Sequence, residues 1–384
     1  MKVLFVQFAN SMFHRFEYSD GYWDRFYDVY RDFGYLRMSD AFEIPKWIAE
    51  ASFFLPSDCF RKICWVKHSV SEAVNEIANG RYDFVLFSVM TCTKAFTRSI
   101  IEKSDSKQKF VIGGYDKEIY RIGDDFENVS VCDIMADAAN VMGLPYAQGT
   151  DYSLFDGWTV LPRLTLSYGC MNNCKFCIVP HVMSVVSETI IRQQVESFKS
   201  LDFKLVYIDD KTFGQSVNYR ILKDLKNNIL KYNPKFSGFV IQTTSAMLVQ
   251  KATVFKDIGV VVAEIGVETF NDWILRKYHK PSSEKLVLEA IHAAESAGIK
   301  VIANLIVGFE EETEETYGRT LDFLKVNETR LFGVNFAMYT DYSSKNCVGE
   351  VDFLPSDNIE LHRKWWDTLN KFASERIVSE RWLR

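Results

Sequence analysis

Short apolar runs of strand length recur along the chain, separated by segments whose apolar residues return every three or four positions. In the first part, the run 3–8 reads as a strand, and Ile44, Trp47, Ile48, Ala51 and Leu55 fall on a helical spacing. A short strand at 62–67 precedes a helix at 71–78. A turn then leads into a buried strand ending at Ser88, followed by a helix over 93–103. Residues 110–114 form another strand, which ends on Gly113 and Gly114, and 129–132 a fifth. Strands alternating with helices imply a parallel sheet covered on both faces, here a Rossmann-like α/β domain over 1–150.

A second series begins near Arg163. Strands at 163–168, 204–209, 237–243, 260–267, 300–307 and 331–338 alternate with helices at 187–200, 216–231, 246–257, 284–297 and 312–325. Six such units predict a partial (β/α)6 barrel of the TIM type over 160–340, open on one side. Residues 146–161, rich in Gly, Asp and aromatics, read as the link between the halves. The end of the chain, 341–384, reads as a helical extension carrying Trp365, Trp366, Leu369 and Phe372, spaced to pack on the barrel or the first domain. The fold class is α/β with a C-terminal helical tail.

The chain has 384 residues, enough for more than one core. Hydrophobic residues make up 47% and charged residues 25%, which excludes a disordered chain. A net charge of −6 argues against nonspecific coating of nucleic acid. No run reaches the roughly 18 to 20 apolar residues of a membrane span, and the apolar start is shorter than a secretory signal core. A cytoplasmic protein without membrane contact is expected. Aromatics crowd between Phe8 and Phe42, from Phe13, Phe16 and Tyr18 through Trp23 and Tyr27 to Tyr30, Phe33 and Tyr35. This stretch reads as a wall over a planar ligand or as an aromatic helix buried between domains. His14 within it is a candidate acid–base group or ligand.

Of eight cysteines, Cys170, Cys174 and Cys177 fall within eight residues, directly after the first barrel strand. Barrels place chemistry on that face. A loop entered through Gly169 can wrap three sulfurs around one inorganic cluster. A [4Fe–4S] cluster takes four thiolates, one per iron, so three leave one iron open. A Cys3His zinc site using His181 is the alternative, although the spacing is not that of paired CxxC units.

This Cys-x3-Cys-x2-Cys pattern, with Phe176 before the last cysteine, resembles the radical S-adenosylmethionine (radical SAM) superfamily, and the resemblance covers the second half of the chain. It implies a [4Fe–4S] cluster on the three cysteines, with S-adenosylmethionine on the open iron. Reductive cleavage would give a 5′-deoxyadenosyl radical for hydrogen abstraction, driven by an external reductant such as flavodoxin or ferredoxin. Asp209 and Asp210 match the second-strand position for the methionyl ammonium, and each also fits a turn or N-cap aspartate. Glu268 resembles the ribose-contacting position. Glu264, on the same face of that strand, is a second candidate or an interior polar partner. The segment from Asn304 to Gly308 resembles the fifth-strand segment along the adenine, with Gly308 permitting close backbone approach. Phe176 would reach the adenine side through its backbone, or is a buried ring. Pro281, Ser283 and Glu284 read as a helix start.

The strands ending at Ser88 and at Gly113–Gly114 are similar to the cobalamin-binding domain that precedes many radical SAM barrels, as is the segment 150–156. That similarity implies cobalamin beside Ser88, Gly113 and Gly114, and methylation as the reaction. The Asp-x-His-x-x-Gly pattern for a lower axial histidine is absent, and a domain kept for structure alone is the alternative. The cysteine segment through Pro180 also resembles the methylthiotransferases. On that reading the protein is a degenerate relative modifying a tRNA or other nucleic-acid base. That family needs three further N-terminal cysteines. Cys92 matches one position, but residues 7–10 hold none, and Gly113, Gly114 and Tyr115 stand where another is expected. A third reading is a non-catalytic iron–sulfur carrier or sensor. No catalytic acid, base or substrate is assigned.

Overall fold

The computed structural model describes residues 1–9, 29–35, 44–90, 92–114, 118–339 and 356–378. The first domain runs β1 (Lys2–Phe8), α1 (Lys46–Phe54), β2 (Phe60–Val66), α2 (Ser71–Gly80), β3 (Phe84–Val89), α3 (Lys94–Lys103), β4 (Phe110–Gly114), α4 (Glu118–Asp125), β5 (Val129–Cys132) and α5 (Met135–Val141). The five strands are parallel, in the order β2-β1-β3-β4-β5. Successive side chains of β1 enter opposite cores, as pleating requires. Leu4, Val6 and Phe8 pack with Ile77, Ile100 and Ile122 on the outer face. Val3 and Phe5 join the large core that continues into the second domain. The short helices α4 and α5 lie where the sequence reading assigned none.

The second domain runs β6 (Arg163–Leu164), β7 (Ser167–Tyr168), β8 (Ser184–Val185), α6 (Glu188–Glu196), β9 (Leu205–Ile208), α7 (Leu222–Tyr232), β10 (Gly238–Thr243), α8 (Ser245–Asp257), β11 (Val260–Glu268), α9 (Asp272–Lys277), α10 (Glu284–Ala297), β12 (Lys300–Val307), α11 (Glu314–Val326) and β13 (Leu331–Met338). Six parallel strands follow one another in space, β6-β9-β10-β11-β12-β13, and among the described residues β6 does not pair with β13. This is a partial barrel. Ser187, Thr244, Ser283 and Thr313 cap the helices that follow, each side chain accepting from a backbone N–H three residues on.

The first barrel strand departs from the sequence reading of 163–168. Only Arg163 and Leu164 pair with β9. The N–H groups of Leu166 and Ser167 donate instead to the Asp210 carboxylate, each at 2.9 Å. The chain then leaves the sheet, and β7 pairs antiparallel with β8.

The described part of the aromatic stretch closes the opposite, N-terminal end of the barrel. Tyr30 and Tyr35 are buried against Leu205, Val240, Val262, Ile302 and Phe332 at the starts of the strands. The remainder of that stretch, including Phe13, His14 and Trp23, lies outside the described residues. The tail forms α12 (Ile359–Phe372) on the barrel. Trp365 stacks on Tyr317 with centroids 5.5 Å apart, and the Tyr317 hydroxyl meets His362 Nδ1 at 2.9 Å. Among the described residues, no helix is long and apolar enough to cross a membrane.

Candidate active site

The loop between β7 and β8 carries all three clustered cysteines. It is closed at its root by the strand pair and by Cys170 N–H donating to Pro180 O at 3.0 Å. Asn218 Nδ2 reaches both Leu166 O and Val186 O at 2.9 Å, tying the two ends together. Asp210, which also accepts from Ser167 Oγ at 2.7 Å, anchors the entering end.

Cys170, Cys174 and Cys177 line one cavity of about 350 Å³ at the C-terminal ends of the barrel strands. Its walls include Phe176, Thr212, Gln242, Glu268, Lys280, Asn304 and Asn335. Backbone N–H groups already point at two sulfurs, Asn172 N at 3.4 Å from Cys170 Sγ and Val179 N at 3.5 Å from Cys177 Sγ. Burial, reinforced by Glu268 and the other two thiols and opposed by Lys280, pushes the Cys174 thiol up to about 11. A bound metal centre supplies the positive charge that holds such thiols as thiolates. The donor set fits an iron–sulfur cluster with one iron lacking a protein ligand. His181, the alternative fourth ligand, is exposed, and its Nδ1 meets Asn172 O at 2.6 Å. Among the described residues, no three His, Cys, Asp or Glu side chains are placed to hold a single metal ion.

Glu268 and Lys280 form a buried ion pair in the cavity, Oε1 to Nζ 2.5 Å. Burial alone would lower the lysine pKa, but Glu268, with Cys174 and Cys177, raises it above the ordinary value. The register between β11 and β12 slips at Gly266 and Glu268, and Glu268 takes a left-handed φ of 62°. A Cβ on Gly266 would lie 2.2 Å from Glu268 Oε1 and 2.5 Å from Lys280 Nζ. Glycine there makes room for the pair. Lys280 was missed from sequence. It enters the cavity because α9 ends in a turn at His279, φ 54°, with Lys280 N–H returning to Leu275 O at 2.9 Å. The reading of Ser283 as a helix start agrees with its capping bond.

Below the pair runs a polar ladder. Glu264 Oε2 accepts from Tyr207 Oη at 3.1 Å and from Asn304 Nδ2 at 3.4 Å, and Asn304 Oδ1 accepts from Asn335 Nδ2 at 3.0 Å. Glu264 is thus an interior partner that orients Asn304. Phe176 packs among Tyr278 and Phe309 at the rim, with centroids 6.4 and 5.9 Å away.

Other predicted site residues are not among those lining the cavity. Asp209 pairs with Arg163 at 3.0 Å and Lys211 at 3.4 Å. Despite burial, Arg163, Lys211 and Lys46 hold its carboxyl below the usual range. Asp210 is spent on the backbone of the cysteine loop, and burial pushes its carboxyl up. Gly308 N–H donates to the Tyr317 hydroxyl at 3.0 Å. In the first domain, Ser88 pairs with Gly113 and Val89 with Gly114. A Cβ on Gly114, φ 153°, would lie 1.9 Å from Val89 O, and one on Gly113 would lie 3.0 Å from Cys132 O. Strand packing therefore favours glycine at both positions. Cys92 packs against the outer core of that domain, and burial raises its pKa.

A partial barrel with a three-cysteine loop at its C-terminal mouth defines a class, and the comparisons agree with it. Residues 164–324 match the Radical SAM superfamily, so the barrel is a radical SAM domain. That superfamily uses a [4Fe–4S] cluster and S-adenosylmethionine. A protein of Methanocaldococcus jannaschii named as a methylthiotransferase is 27% identical over 170 residues, 41% of this chain and 37% of its own. Hopanoid C-2 methylase of Rhodopseudomonas palustris is 22% identical over 189 residues, 46% of this chain and 35% of its own. A tRNA-2-methylthio-N(6)-dimethylallyladenosine synthase of Clostridium tetani is 25% identical over 178 residues, 42% of this chain and 38% of its own. The matches thus span little over a third of these relatives' lengths. In fold, the chain is similar to the cobalamin-dependent radical enzyme OxsB, with a TM-score of 0.59, 12% identity and coverage of 96% of this chain and 56% of that one. It is also similar to the methyltransferase TsrM of Kitasatospora setae, with a TM-score of 0.59, 12% identity and coverage of 88% and 72%.

Proposed function

We propose that the protein is a radical SAM transferase whose Cys170, Cys174 and Cys177 hold one [4Fe–4S] cluster, with S-adenosylmethionine in the same cavity. The observation that carries this reading is the single cavity lined by the three thiols, the Glu268–Lys280 pair and Asn304. When bound, the cluster supplies the electron that cleaves the sulfonium and starts hydrogen abstraction. The chain's own residues bind, orient and shield. Lys280 contributes a cation beside the thiolates. Glu268 offers an acceptor for the ribose hydroxyls. Asn304, oriented by Glu264, presents its amide to the ligand. Phe176, Tyr278 and Phe309 keep one wall apolar, which excludes water from a reactive site.

Methylation with cobalamin in the first domain is the preferred outcome, supported by the fold shared with OxsB and TsrM. The second reading, methylthio transfer to a nucleic-acid base, is favoured by the names of the sequence relatives. It needs a second cluster, for which Cys92 is the available N-terminal ligand. Anaerobic purification, reconstitution with iron, sulfide and hydroxocobalamin, and metal counting separate them. About four irons and one cobalt per chain support the methylase, whereas about eight irons without cobalt support the methylthiotransferase. Each Cys→Ala variant of the three should lose iron and cofactor cleavage. Absence of 5′-deoxyadenosine from the fully reduced parent would overturn the radical SAM reading and leave an electron carrier or sensor.

A further inference from the structure

The tail helix α12 packs where two of the cavity strands end. Asn304, Leu305 and Ile306 of β12, with Asn335 and Phe336 of β13, form one wall of the cysteine-lined cavity. β12 stops at Val307, whose carbonyl accepts from Tyr339 N–H at 2.8 Å. The chain turns away at Gly308, with φ 110°. Gly308 N–H leaves the sheet and donates to the Tyr317 hydroxyl at 3.0 Å.

Tyr317 is in turn held from the tail. Its ring stacks on Trp365 with centroids 5.5 Å apart, and its hydroxyl lies 2.9 Å from His362 Nδ1. Tyr317 and His362 are both buried. Burial, with Glu312 nearby, pushes the Tyr317 pKa well above its ordinary value, so the hydroxyl keeps its proton. A phenol has one proton to give. Gly308 is already a donor to this oxygen, so the hydrogen-bond network assigns the proton to His362 Nδ1. Burial lowers the His362 pKa and favours the neutral ring, which can accept it. Four residues on, on the same face of α12, Trp366 meets Phe336 edge-on with centroids 6.2 Å apart.

Packing does not call for the hydroxyl. A phenylalanine would fill the same space and stack on Trp365 equally. The hydroxyl adds an acceptor for one backbone N–H at the point where the cavity wall turns, fixed from behind by a histidine of another element. We propose that Tyr317 is a positioning residue for S-adenosylmethionine, through which His362 of the tail helix holds the β12 wall of the cavity in its binding geometry. The inference rests on the radical SAM reading of that cavity. Neither residue is among those lining it. Tyr317 acts through Gly308, and His362 acts through Tyr317. A wall that is not held from behind loses contacts to its ligand.

The test uses the reconstituted full chain. Calorimetry with S-adenosylmethionine compares the parent with Tyr317→Phe, His362→Leu and His362→Asn. The first two should weaken binding about fivefold or more, with iron content unchanged. His362→Asn keeps an acceptor near the place of Nδ1 and should bring affinity back to within about twofold of the parent. With dithionite as reductant, KM for S-adenosylmethionine should rise in the weakened variants while kcat stays within about twofold. Hydrogen exchange over 304–309, measured without the cofactor, should be faster in Tyr317→Phe. Tyr35→Phe removes a buried hydroxyl at the other end of the barrel and should leave the affinity unchanged, which separates positioning from loss of stability. Affinity within about twofold of the parent in Tyr317→Phe overturns the proposal, as does equal weakening by Tyr35→Phe. Should Tyr317→Phe fail to retain iron, His362→Leu set against His362→Asn decides by the same criterion. A parent that binds no S-adenosylmethionine overturns the functional reading and this inference with it, whereas normal parent binding with unaffected variants overturns the inference alone.

Discussion

Lys280 and Glu268 meet at 2.5 Å inside the cysteine-lined cavity, in space that Gly266 leaves open. Removing one partner strands the other charge in a buried setting, which typically costs about 3–5 kcal/mol. Lys280→Met and Glu268→Gln should therefore each lower the urea midpoint. The double variant should recover part of the loss, because neither charge is then left alone. Additive losses in the double-mutant cycle would mean that the two groups do not depend on one another. Gly266→Ala should also weaken S-adenosylmethionine binding, since its methyl would displace the pair.

Asp210 accepts three hydrogen bonds from Leu166 and Ser167 at the root of the cysteine loop. Asp210→Ala leaves two buried backbone N–H groups unsatisfied, at a cost of about 2–4 kcal/mol. Iron content after reconstitution should fall together with the thermal midpoint, and Asp210→Asn should restore part of both. Asp209→Asn should leave iron content unchanged, because Asp209 faces Arg163 and Lys211 rather than the loop. Full iron content in Asp210→Ala would show that the loop does not need this anchor.

The alternation of strands and helices was legible because each barrel strand is buried on both sides and each helix shows one apolar face. The predicted strand at 300–307 coincides with β12, and that at 331–338 with β13. The cysteine loop was legible for a different reason, as three thiols at close spacing have few uses. What escaped depends on contacts between distant residues. The first barrel strand looked continuous from 163 to 168, and distant side chains break it, Gln194 taking the N–H and carbonyl of Thr165 and Asp210 the N–H groups of Leu166 and Ser167. Lys280 carries no motif of its own, and the left-handed His279 turn that directs it inward has no glycine to announce it. The contacts that require Gly113 and Gly114 also come from neighbouring strands, since a Cβ at either would crowd Cys132 O or Val89 O.

The Tyr35 hydroxyl joins the N-terminal segment to the barrel. It accepts from Lys204 N–H at 2.8 Å and Leu205 N–H at 2.9 Å, and donates to Val160 O at 3.2 Å. Tyr35→Phe keeps the ring but leaves buried donors without their acceptor. A loss of about 2–4 kcal/mol in denaturant stability is expected, with little change in iron content. A stability equal to the parent's would indicate that water replaces the hydroxyl.

Glu312 lies buried at the start of α11, where Thr316 Oγ1 donates to its carboxylate. Burial pushes its carboxyl from the ordinary 4.5 up to about 7, although Thr316 and Thr269 partly offset this. Below about pH 4.5 the group is protonated in both folded and unfolded chains, and its preference for the neutral form is fully expressed. Between about 4.5 and 7 the unfolded chain binds fewer protons than the folded one, so stability falls as pH rises. Above about 7 the loss is complete, and the shift corresponds to about 3 kcal/mol. Glu312→Gln keeps the shape and stays neutral, so it lacks this slope. The stability difference between Glu312→Gln and the parent should therefore grow in the variant's favour by up to about 3 kcal/mol between pH 4.5 and 7.5. Urea denaturation across that range measures it directly. A difference that stays flat with pH would mean that the Glu312 carboxyl titrates in the folded protein as it does in the unfolded chain.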